Sequence, residues 1–357
     1  MAEFTATATF LLEPVGRFRF GSHPANPGHL DALPASDTLA GALLWAAALL
    51  HDDVDQLVER CRAGDPPFLL SSALPHLDGR TPFVPRPYRL RPPAGAGMPA
   101  PPGDQPETER KAIKRVTHVE VGALPWLDGQ PLDVAVWGPL LCQKPAPAVG
   151  DPWERATIPG VTLDRASGAS ALYHHAMVAY AGGGAARART AHRQRVTRAP
   201  RLRWAVHVLA RDAAMLDLIH RWLSLLALTG IGGRRSRGAG TFQVERRGPA
   251  LLPLAAEPRG PLLSWVSPRP DEVERGLFHP ERRFGYRLDE RFGWISSPFW
   301  LSERSLRVLM VAEGSYLSPA LPAPVGQLVD VTPGDPGPRH RVYRFGFGLF
   351  VDEERLS

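Results

Sequence analysis

The sequence predicts an α+β fold of two ferredoxin-like (RRM-like) domains, and three observations support this prediction. Residues 1–248 give patterns in the order strand, helix, long middle section, strand, helix, glycine-rich loop and strand, which is a split βαβ layout. The long middle section is a large insertion in the first domain. After a proline-bounded link near 249–261, three strand-rich segments with little helical signal predict a smaller, degenerate second domain at 258–357.

Periodicity and capping residues define the elements of the first domain. Residues 4–13 alternate apolar and small polar side chains, as in a half-buried strand. Ser36 or Asp37 can cap the helix TLAGALLWAAALL, which is apolar almost all round and is therefore expected to be buried. The strand RLRWAVHVLA precedes a second helix, which Asp212 caps and Gly230 ends. These two strand–helix pairs are the framework of the split βαβ layout.

The middle section combines irregular stretches with a hairpin. Prolines dominate residues 81–106, which predicts a surface loop rather than a regular element. Farther along, Ser167-Gly168 is a turn signal between two apolar runs and predicts a hairpin. Residues 187–203 then contain seven arginines, so positive charge is concentrated after the hairpin.

Hydropathy and cysteine content indicate a reduced, cytoplasmic protein. No apolar run approaches the roughly 20 residues that a membrane span requires. The N-terminus has no positive region ahead of its apolar residues, so we expect neither a secretory signal nor a membrane partner. Cys61 and Cys142 are far apart in sequence and predict neither a disulfide nor a zinc site. We expect no cofactor and no metal.

The net charge of +6 favours a polyanionic partner. Nearly all of the positive charge is arginine, because the only lysines are Lys111, Lys114 and Lys144. An excess of arginine, alanine, glycine and proline is also typical of a GC-rich genome. The local placement of the arginines therefore carries more information than their number.

The loop at 229–242 is the most informative segment for function. It contains five glycines and three arginines: Gly230, Gly232, Gly233, Arg234, Arg235, Arg237, Gly238 and Gly240. Glycine loses the most conformational freedom on folding, so this density indicates positive φ angles or close approach to a ligand. The guanidinium fork matches two phosphate oxygens. The segment predicts a phosphate-binding loop, and a tight helix-to-strand turn with solvated arginines is the alternative.

Two better-known glycine-rich loops are excluded by the order of the elements. A nucleotide-binding P-loop lies between a strand and a following helix and ends in Gly-Lys-Ser/Thr. The dinucleotide-binding fingerprint also opens a helix. Here a helix comes first, a strand follows, and the loop has no lysine.

Recognisable catalytic motifs are absent from the sequence: no H-E-x-x-H, C-x-x-C or G-x-S-x-G occurs. A ribonuclease could still use one of four single histidines, although a structural role suits each of them better: His23, His51, His118 and His192. His174 and His175 are adjacent and so do not share a face of a helix or strand. Asp37 is a candidate carboxylate, but its position before a helix explains it as a cap.

Aromatic residues close to arginines are candidates for stacking on RNA bases, namely Tyr88, Tyr173 and Trp204. An aromatic residue in a strand more often belongs to the core, so both interpretations stay open. Asp164-Arg165 also has two interpretations. The two residues form a local ion pair, or the arginine faces RNA and the aspartate orients it.

Taken in order, these motifs resemble a RAMP protein of a CRISPR effector complex. More narrowly, they resemble the fourth subunit of the type III-A (Csm) complex, which caps the 5′ end of the guide RNA. The matching segments are FRFGSHP, ASDTLAGALLWA, FVPRPYRLRP, RKAIKRVTHVEVGALPWL, VTLDRASGASALYH, GIGGRRSRGAGTF, YRLDERFGWISS, VAEGSYL and HRVYRFGFGLFV. VTLDRASGASALYH resembles the Asp-Arg turn that leads into the family's thumb-like hairpin. The chain departs from the family at Arg86, where lysine is common, and at Ala35, where histidine is expected.

The resemblance implies a non-catalytic subunit of a cytoplasmic antiviral ribonucleoprotein. It implies three partners: the crRNA 5′ handle, the large polymerase-like subunit and the backbone RAMP subunit. It implies RNA contacts from the glycine-rich loop and from basic residues elsewhere: Gly230, Gly232, Gly233, Arg234, Arg235, Ser236, Arg237, Gly238, Gly240, Arg165, Lys111, Lys114, Arg115 and Arg86. The alternative is a RAMP endoribonuclease that matures precursor crRNA and needs a positioned acid–base, usually histidine. The equivalent subunit of a related type III complex is a third possibility.

Overall fold

The computed structural model describes residues 3–21, 30–89, 107–147, 151–182, 200–295, 297, 299–300, 303–335, 337 and 339–356, without the side chains of 107–110. Most of the predicted proline-rich loop lies outside these residues. The arginines between 183 and 199, together with His23 and His192, lie outside them as well.

The helices of the described chain are α1 (Ser36–Leu49), α2 (Val54–Arg62), α3 (Glu107–Lys114), α4 (Leu124–Leu127), α5 (Ala213–Thr229) and α6 (Pro270–Glu274). The strands of the N-terminal and middle parts are β1 (Ala6–Pro14), β2 (Phe68–Leu70), β3 (Leu74–Leu77), β4 (Phe83–Pro85), β5 (His118–Glu120), β6 (Val134–Trp137), β7 (Leu140–Gln143), β8 (Trp153–Leu163), β9 (Ser170–Tyr180), β10 (Leu202–Ala210) and β11 (Phe242–Arg247). The C-terminal strands are β12 (Leu254–Ala255), β13 (Leu288–Arg291), β14 (Val308–Val311), β15 (Gly326–Asp330), β16 (Tyr343–Phe347) and β17 (Phe350–Val351).

The main sheet is antiparallel and has the order β11-β1-β10-β2, with β3 also paired to β10. Helix α1 follows β1 and helix α5 follows β10, so both predicted strand–helix pairs are confirmed. The Asp212 carboxylate accepts from the Met215 N–H at 2.8 Å and caps α5 as predicted. Helix α5 buries the apolar stripe that includes Ile219 and Trp222, and it ends at Gly230.

Helix α1 begins differently from the prediction. Ala35 is its N-cap residue, and no side chain caps it. Ser36 Oγ instead accepts from the Trp265 N–H at 2.9 Å. Asp37 is buried and paired with two arginines of the C-terminal part. The prediction of a Ser36 or Asp37 cap is therefore wrong, because distant segments supply better partners for both side chains.

The middle section forms a second sheet and a long hairpin. The sheet has the order β4-β5-β7-β6, and α3 leads into its strand β5. Strands β8 and β9 pair along their whole length, from Trp153 opposite Tyr180 to Leu163 opposite Ser170. Gly168 has a φ of 67° in the turn between them, which confirms the predicted hairpin. Residues 161–172 are all exposed, so the far end of this hairpin projects from the body of the molecule.

The C-terminal part forms three two-stranded sheets, β12-β17, β13-β14 and β15-β16. The strand-rich segments predicted there contain β13, β14, β16 and β17, whereas β12 lies in the predicted link at 249–261. Strand β15 was not predicted, because it follows Pro324 and opens at Gly326, whose φ is 95°. Both residue types normally interrupt strands.

One large hydrophobic core joins the N-terminal and C-terminal parts. Phe10 and Trp204 of the main sheet belong to the same buried cluster as Phe347 and Val351. The rings of Phe68 and Phe345 stack with centroids 5.6 Å apart. Within the described residues, no helix is long and apolar enough to cross a membrane.

Candidate nucleic-acid interface

The glycine-rich loop folds against the segment that follows β1. Gly230, Gly232 and Gly240 have φ angles of 80°, 80° and 88°. A Cβ added to each would lie 2.6 Å or less from a backbone oxygen: Ala239 O, Arg19 O and Ile231 O respectively. These three glycines are thus required by the packing of the loop on itself and on Arg19.

Several amides of this loop already have protein acceptors. The N–H of Ile231 donates to Gly240 O at 3.0 Å. The N–H of Gly233 donates to Arg19 O, and that of Gly240 to Arg17 O, each at 2.9 Å. These three amides are therefore not available to a ligand. The phosphate contacts predicted for this loop thus fall mainly to its arginine side chains.

Arg234 and Arg237 converge on one tyrosine of the long hairpin. The Nη1 atoms of Arg234 and Arg237 donate to Tyr173 Oη at 3.1 and 3.0 Å. Arg234 has a φ of 67°, uncommon for a residue other than glycine. Tyr173 lies opposite Gly160, and a Cβ at Gly160 would come within 2.6 Å of the tyrosine ring. Gly160 thus leaves room for a ring that connects the hairpin to the loop.

Two further side chains complete what we call the Tyr173 cluster: Arg19, Tyr173, His175, Arg234 and Arg237. The rings of His175 and Tyr173 are 5.8 Å apart, because residues two apart in a strand share a face. Arg19 Nη1 donates to Ala176 O at 3.4 Å on the same strand. Sequence reasoning did not find Arg19, although the alternation of Arg17 and Arg19 with the buried Phe18 and Phe20 is a usable signal.

The electrostatics of the Tyr173 cluster favour an anionic ligand. Within the described residues, Arg19, Arg234 and Arg237 have no carboxylate partner. Arg19 donates to a backbone carbonyl, and Arg234 and Arg237 donate to the tyrosine. Burial and the neighbouring Arg234 lower the pKa of Arg19. Burial and then Arg234 and Arg19 lower the pKa of His175, so its imidazole is neutral at pH 7. The hydrogen bond from Arg234 lowers the pKa of Tyr173.

Arg235 differs from its two neighbours. Its guanidinium lies 4.5 Å from the centroid of the Trp45 ring of α1, and burial lowers its pKa. Ser236 and Gly238 are exposed in the same turn, and a Cβ at Gly238 would meet nothing within 4 Å. The structure thus divides the predicted loop residues into a tyrosine-linked pair and an arginine packed on a helix.

The other predicted basic residues lie elsewhere. Arg86 Nη1 donates to Ile113 O at 2.9 Å, which joins β4 to the end of α3. Lys111, Lys114 and Arg115 are exposed on α3 and just after it. These four residues lie just after β4, on α3 and just after α3, in a part of the chain distinct from the glycine-rich loop.

At the hairpin turn, Asp164 supports the backbone rather than Arg165. Its carboxylate accepts from the Ala166 N–H at 3.0 Å and from the Ser167 hydroxyl. Arg165 is exposed and has no carboxylate partner within the described residues. Neither interpretation of Asp164-Arg165 from the sequence describes the aspartate, which holds the turn.

Most of the residues proposed for catalysis or stacking have structural roles. Trp204 is fully buried, and Tyr88 packs against Gly285 and Gly314. His118 is buried, and burial lowers its pKa to about 4. His51 has a φ of 58° directly beyond α1. The carboxylate of Asp37 is occupied by arginines, so it is neither cap nor catalytic candidate.

The two cysteines and the possible metal ligands of the described residues form no reactive site. Cys61 and Cys142 are buried free thiols, and burial raises the pKa of each to about 12. In the part of the chain that the structure describes, no group of three or more His, Cys, Asp or Glu side chains is arranged to hold a metal ion.

Comparison with known families finds a match, which lies in the C-terminal part of the chain. Residues 257–352 match the family model of the CRISPR Csm4 C-terminal domain. Residues 257–352 are thus similar to the Csm4 C-terminal domain. The resemblance drawn from the sequence motifs is thus confirmed, and it is confirmed in the part of the chain without the glycine-rich loop. No curated protein matches the chain.

Two solved structures share the fold of nearly the whole chain. A chain in the crystal structure of the Csm3–Csm4 subcomplex of the type III-A CRISPR-Cas interference complex is 15% identical, with a TM-score of 0.58. That alignment covers 97% of this chain and 99% of the other. A chain in the crystal structure of the Csm1–Csm4 cassette with cA4 is 18% identical, with a TM-score of 0.51 and coverage of 97% and 98%. At these identities the likeness establishes a common fold.

Proposed function

We propose that the protein is a non-catalytic, crRNA-binding subunit of a type III-A CRISPR interference complex. In this role it holds the repeat-derived 5′ handle and docks the large polymerase-like subunit and the backbone RAMP subunit in the cytoplasm. The Tyr173 cluster carries the proposal. Three arginines without carboxylate partners converge there between the glycine-rich loop and the long hairpin, and a ribose–phosphate chain can neutralise them.

The fold supports this assignment. The main sheet has the order β11-β1-β10-β2, with α1 and α5 as the helical connections, as a ferredoxin-like domain at 1–248 requires. The match at 257–352 agrees with a second domain at 258–357. Structures with similar folds contain Csm3 or Csm1 beside Csm4, which makes subunits of these two kinds the partners that we propose.

The sheet surface itself is a poor site for RNA. The largely buried Arg203 of β10 pairs with Asp78 and, at 2.9 Å, with Glu245. Arg247 pairs with the same glutamate at 2.8 Å. Because these guanidinium groups are already neutralised, phosphate binding there would require breaking ion pairs. Phosphate binding by Arg19, Arg234 and Arg237 of the Tyr173 cluster would break no ion pair, because these arginines have no carboxylate partner in the described chain.

A double variant, Arg234→Ala with Arg237→Ala, tests the RNA site. We expect weaker binding of every handle RNA, and a fall of about 1.4 in the log–log salt slope for two lost phosphate contacts on the single-strand estimate. Arg246→Ala with Arg247→Ala is the matched control. It removes the same charge from β11, where the arginines pair with Asp217 and Glu245. Fluorescence anisotropy over a salt series gives both quantities. An unchanged affinity and slope in the first variant would contradict the RNA assignment.

One observation favours the endoribonuclease alternative. The pKa of His175 is lowered, so its imidazole can accept a proton. Its ring faces Tyr173, and the nearby arginines could hold RNA beside it. We nonetheless propose binding without cleavage, since His175 Nδ1 is buried without a hydrogen-bond partner in the described chain and no carboxylate there orients the imidazole as a base. Incubation with labelled repeat RNA, with and without divalent metal, decides between the two. Site-specific cleavage that His175→Ala abolishes would establish the endoribonuclease.

A further inference from the structure

The far end of the C-terminal hairpin β13–β14 carries aromatic rings and arginines on one side. Phe292 and Trp294 are two residues apart in an extended backbone, so their side chains lie on the same face. Trp294 is 58% exposed, although tryptophan is on average a highly buried residue type. Two arginines of the facing segment lie beside these rings. We call this group of four side chains the stacking platform: Phe292, Trp294, Arg304 and Arg307.

The backbone beneath the stacking platform is held in a defined shape. Beyond the ladder of β13 and β14, the Ser305 N–H donates to Gly293 O and the Ile295 N–H donates to Glu303 O, each at 2.9 Å. The fully buried Met310 fixes the hairpin to the body of the molecule. The stacking platform is therefore preorganised, and a ligand that binds it has little backbone to order.

Guanidinium groups lie against both rings of the stacking platform. The Arg304 guanidinium is 4.5 Å from the centroid of the Trp294 ring and 5.8 Å from that of the Phe292 ring. The Arg307 guanidinium is 5.6 Å from the Phe292 ring. All three distances are within the range of about 6 Å for a cation–π interaction. These contacts hold planar groups at the surface, and nucleobases stack on aromatic rings and on guanidinium planes alike.

The charges favour an anion at the Trp294 end of the stacking platform. Within the described residues, Arg304 has two rings but no carboxylate as partners. Arg307 is 3.5 Å from Glu290, in an exposed pair of low strength. Glu290 precedes Trp294 by four residues, which is about 14 Å along an extended strand. Exposed charges farther apart than about 8 Å are largely screened at physiological salt, so Glu290 hardly opposes a phosphate bound at Arg304.

We propose that the stacking platform binds single-stranded RNA, with a base stacked on Trp294 and a phosphate at Arg304. The proposal rests on the proposed function only in taking RNA to be the ligand that the protein meets. It adds a site that holds bases, in a part of the chain separate from the Tyr173 cluster.

A protein partner fits the same hairpin less well than RNA. Leu309 lies opposite Glu290, and Leu288 comes two residues before that glutamate. A carboxylate therefore stands between the exposed leucines and the rings of the stacking platform. The continuous apolar centre that a protein interface requires is not formed.

Trp294→Ala tests the stacking platform. Full-length protein is titrated with labelled single-stranded oligoadenylate over a salt series, and binding is followed by fluorescence anisotropy. We expect at least about a fivefold loss of affinity with an unchanged salt slope, because the ring contributes stacking and no charge. Trp294→Phe keeps a ring and should retain most of the affinity. Phe299→Ala is the matched control: this ring is 64% exposed, and no guanidinium lies against it within the described residues.

Two charge variants and a second probe separate stacking from phosphate binding. Arg304→Ala should weaken binding and lower the log–log salt slope by about 0.7, the single-strand value for one phosphate contact. Glu290→Gln should bind oligoadenylate more tightly, because it removes a negative charge and frees Arg307. An abasic ribose–phosphate strand of the same length offers phosphates without bases. Trp294→Ala and the wild type should bind that strand equally.

The outcomes separate this proposal from the RNA-binding function of the Tyr173 cluster. Equal oligoadenylate affinities of Trp294→Ala and the wild type overturn the stacking platform, and so does a wild type that binds no oligoadenylate. A Trp294→Ala variant that loses affinity for a Csm1-like or Csm3-like subunit, but not for RNA, overturns it as well and assigns the hairpin to a protein partner. If Arg234→Ala with Arg237→Ala binds RNA like the wild type while Trp294→Ala does not, the stacking platform stands and the assignment of the Tyr173 cluster falls.

Discussion

Arg291 of β13 donates from Nη2 to Asp37 Oδ1 at 2.8 Å, so the start of helix α1 is paired with a residue 254 positions later in the chain. Arg344 donates to the other oxygen of the same carboxylate. Burial opposes ionisation of Asp37, but the two arginines outweigh it and lower the pKa to about 2. This triad is the main polar connection between α1 and the C-terminal part.

Removing Asp37 should destabilise the protein strongly. Asp37→Ala leaves the largely buried Arg344 without its counter-charge and Arg291 with only Asp31 at 3.6 Å, and we expect a fall in unfolding free energy of roughly 3 kcal/mol. Arg62→Ala, which breaks the exposed pair with Glu59, should cost below about 1 kcal/mol. Urea denaturation at pH 7 measures both. Equal small effects would show that the triad contributes little.

The glycines of the loop should separate into two classes. Gly240→Ala places a Cβ 2.2 Å from Ile231 O at a φ of 88°, so we expect a clear drop in melting temperature. Gly233→Ala has its nearest contact at 3.4 Å, on the Arg19 side chain, and should leave the melting temperature nearly unchanged. Thermal unfolding tests this difference. A larger loss for Gly233→Ala would mean that the loop packs differently.

Tyr173→Phe tests whether the hydroxyl orients the two arginines. The ring over Gly160 remains, but Arg234 and Arg237 lose their common acceptor, so we expect a modest fall in handle-RNA affinity with unchanged salt slope. Tyr88→Phe removes a hydroxyl outside the cluster and serves as the control. The result can be read from the same anisotropy titrations. If Tyr173→Phe matched the wild type, the tyrosine would be a spacer rather than an orienting group.

Stability should fall as the pH is lowered below about 6.5. Burial lowers the pKa of His118 to about 4, whereas in the unfolded chain His118 titrates at its ordinary value near 6.5. The unfolded state therefore takes up the proton first, and at pH 5 this single group costs about 2 kcal/mol. In His118→Gln the loss between pH 7.5 and 5 should be smaller by that amount. Chemical denaturation at both pH values measures it, and identical losses would contradict the assignment to His118.

The sequence predicted the elements whose signals are local. Asp212 and Gly230 mark the ends of α5 through capping chemistry, and the turn at Ser167-Gly168 was found because left-handed backbone favours glycine. The cap of α1 was predicted wrongly, since the partners of Asp37 lie more than two hundred residues away. Local patterns carry no information on such pairs.

The candidate site was predicted in part for the same reason. The loop arginines were identified from their setting among glycines, but their division into a pair bound to Tyr173 and an Arg235 packed on Trp45 depends on tertiary contacts. Most of the glycines have a packing role that composition alone cannot distinguish from a ligand-binding role. His175 was set aside because it neighbours His174. Its relevant neighbour is Tyr173, two residues away on the same face of β9.

The shared core also has a consequence for synthesis on the ribosome. Phe68 of the first sheet reaches its final packing only with Phe345 of β16, which is translated long after that sheet is complete. The nascent chain thus carries an uncovered apolar surface until this late strand emerges. Truncation before β16 would leave that surface permanently open, and such fragments should be captured by chaperones or aggregate rather than persist as independent domains.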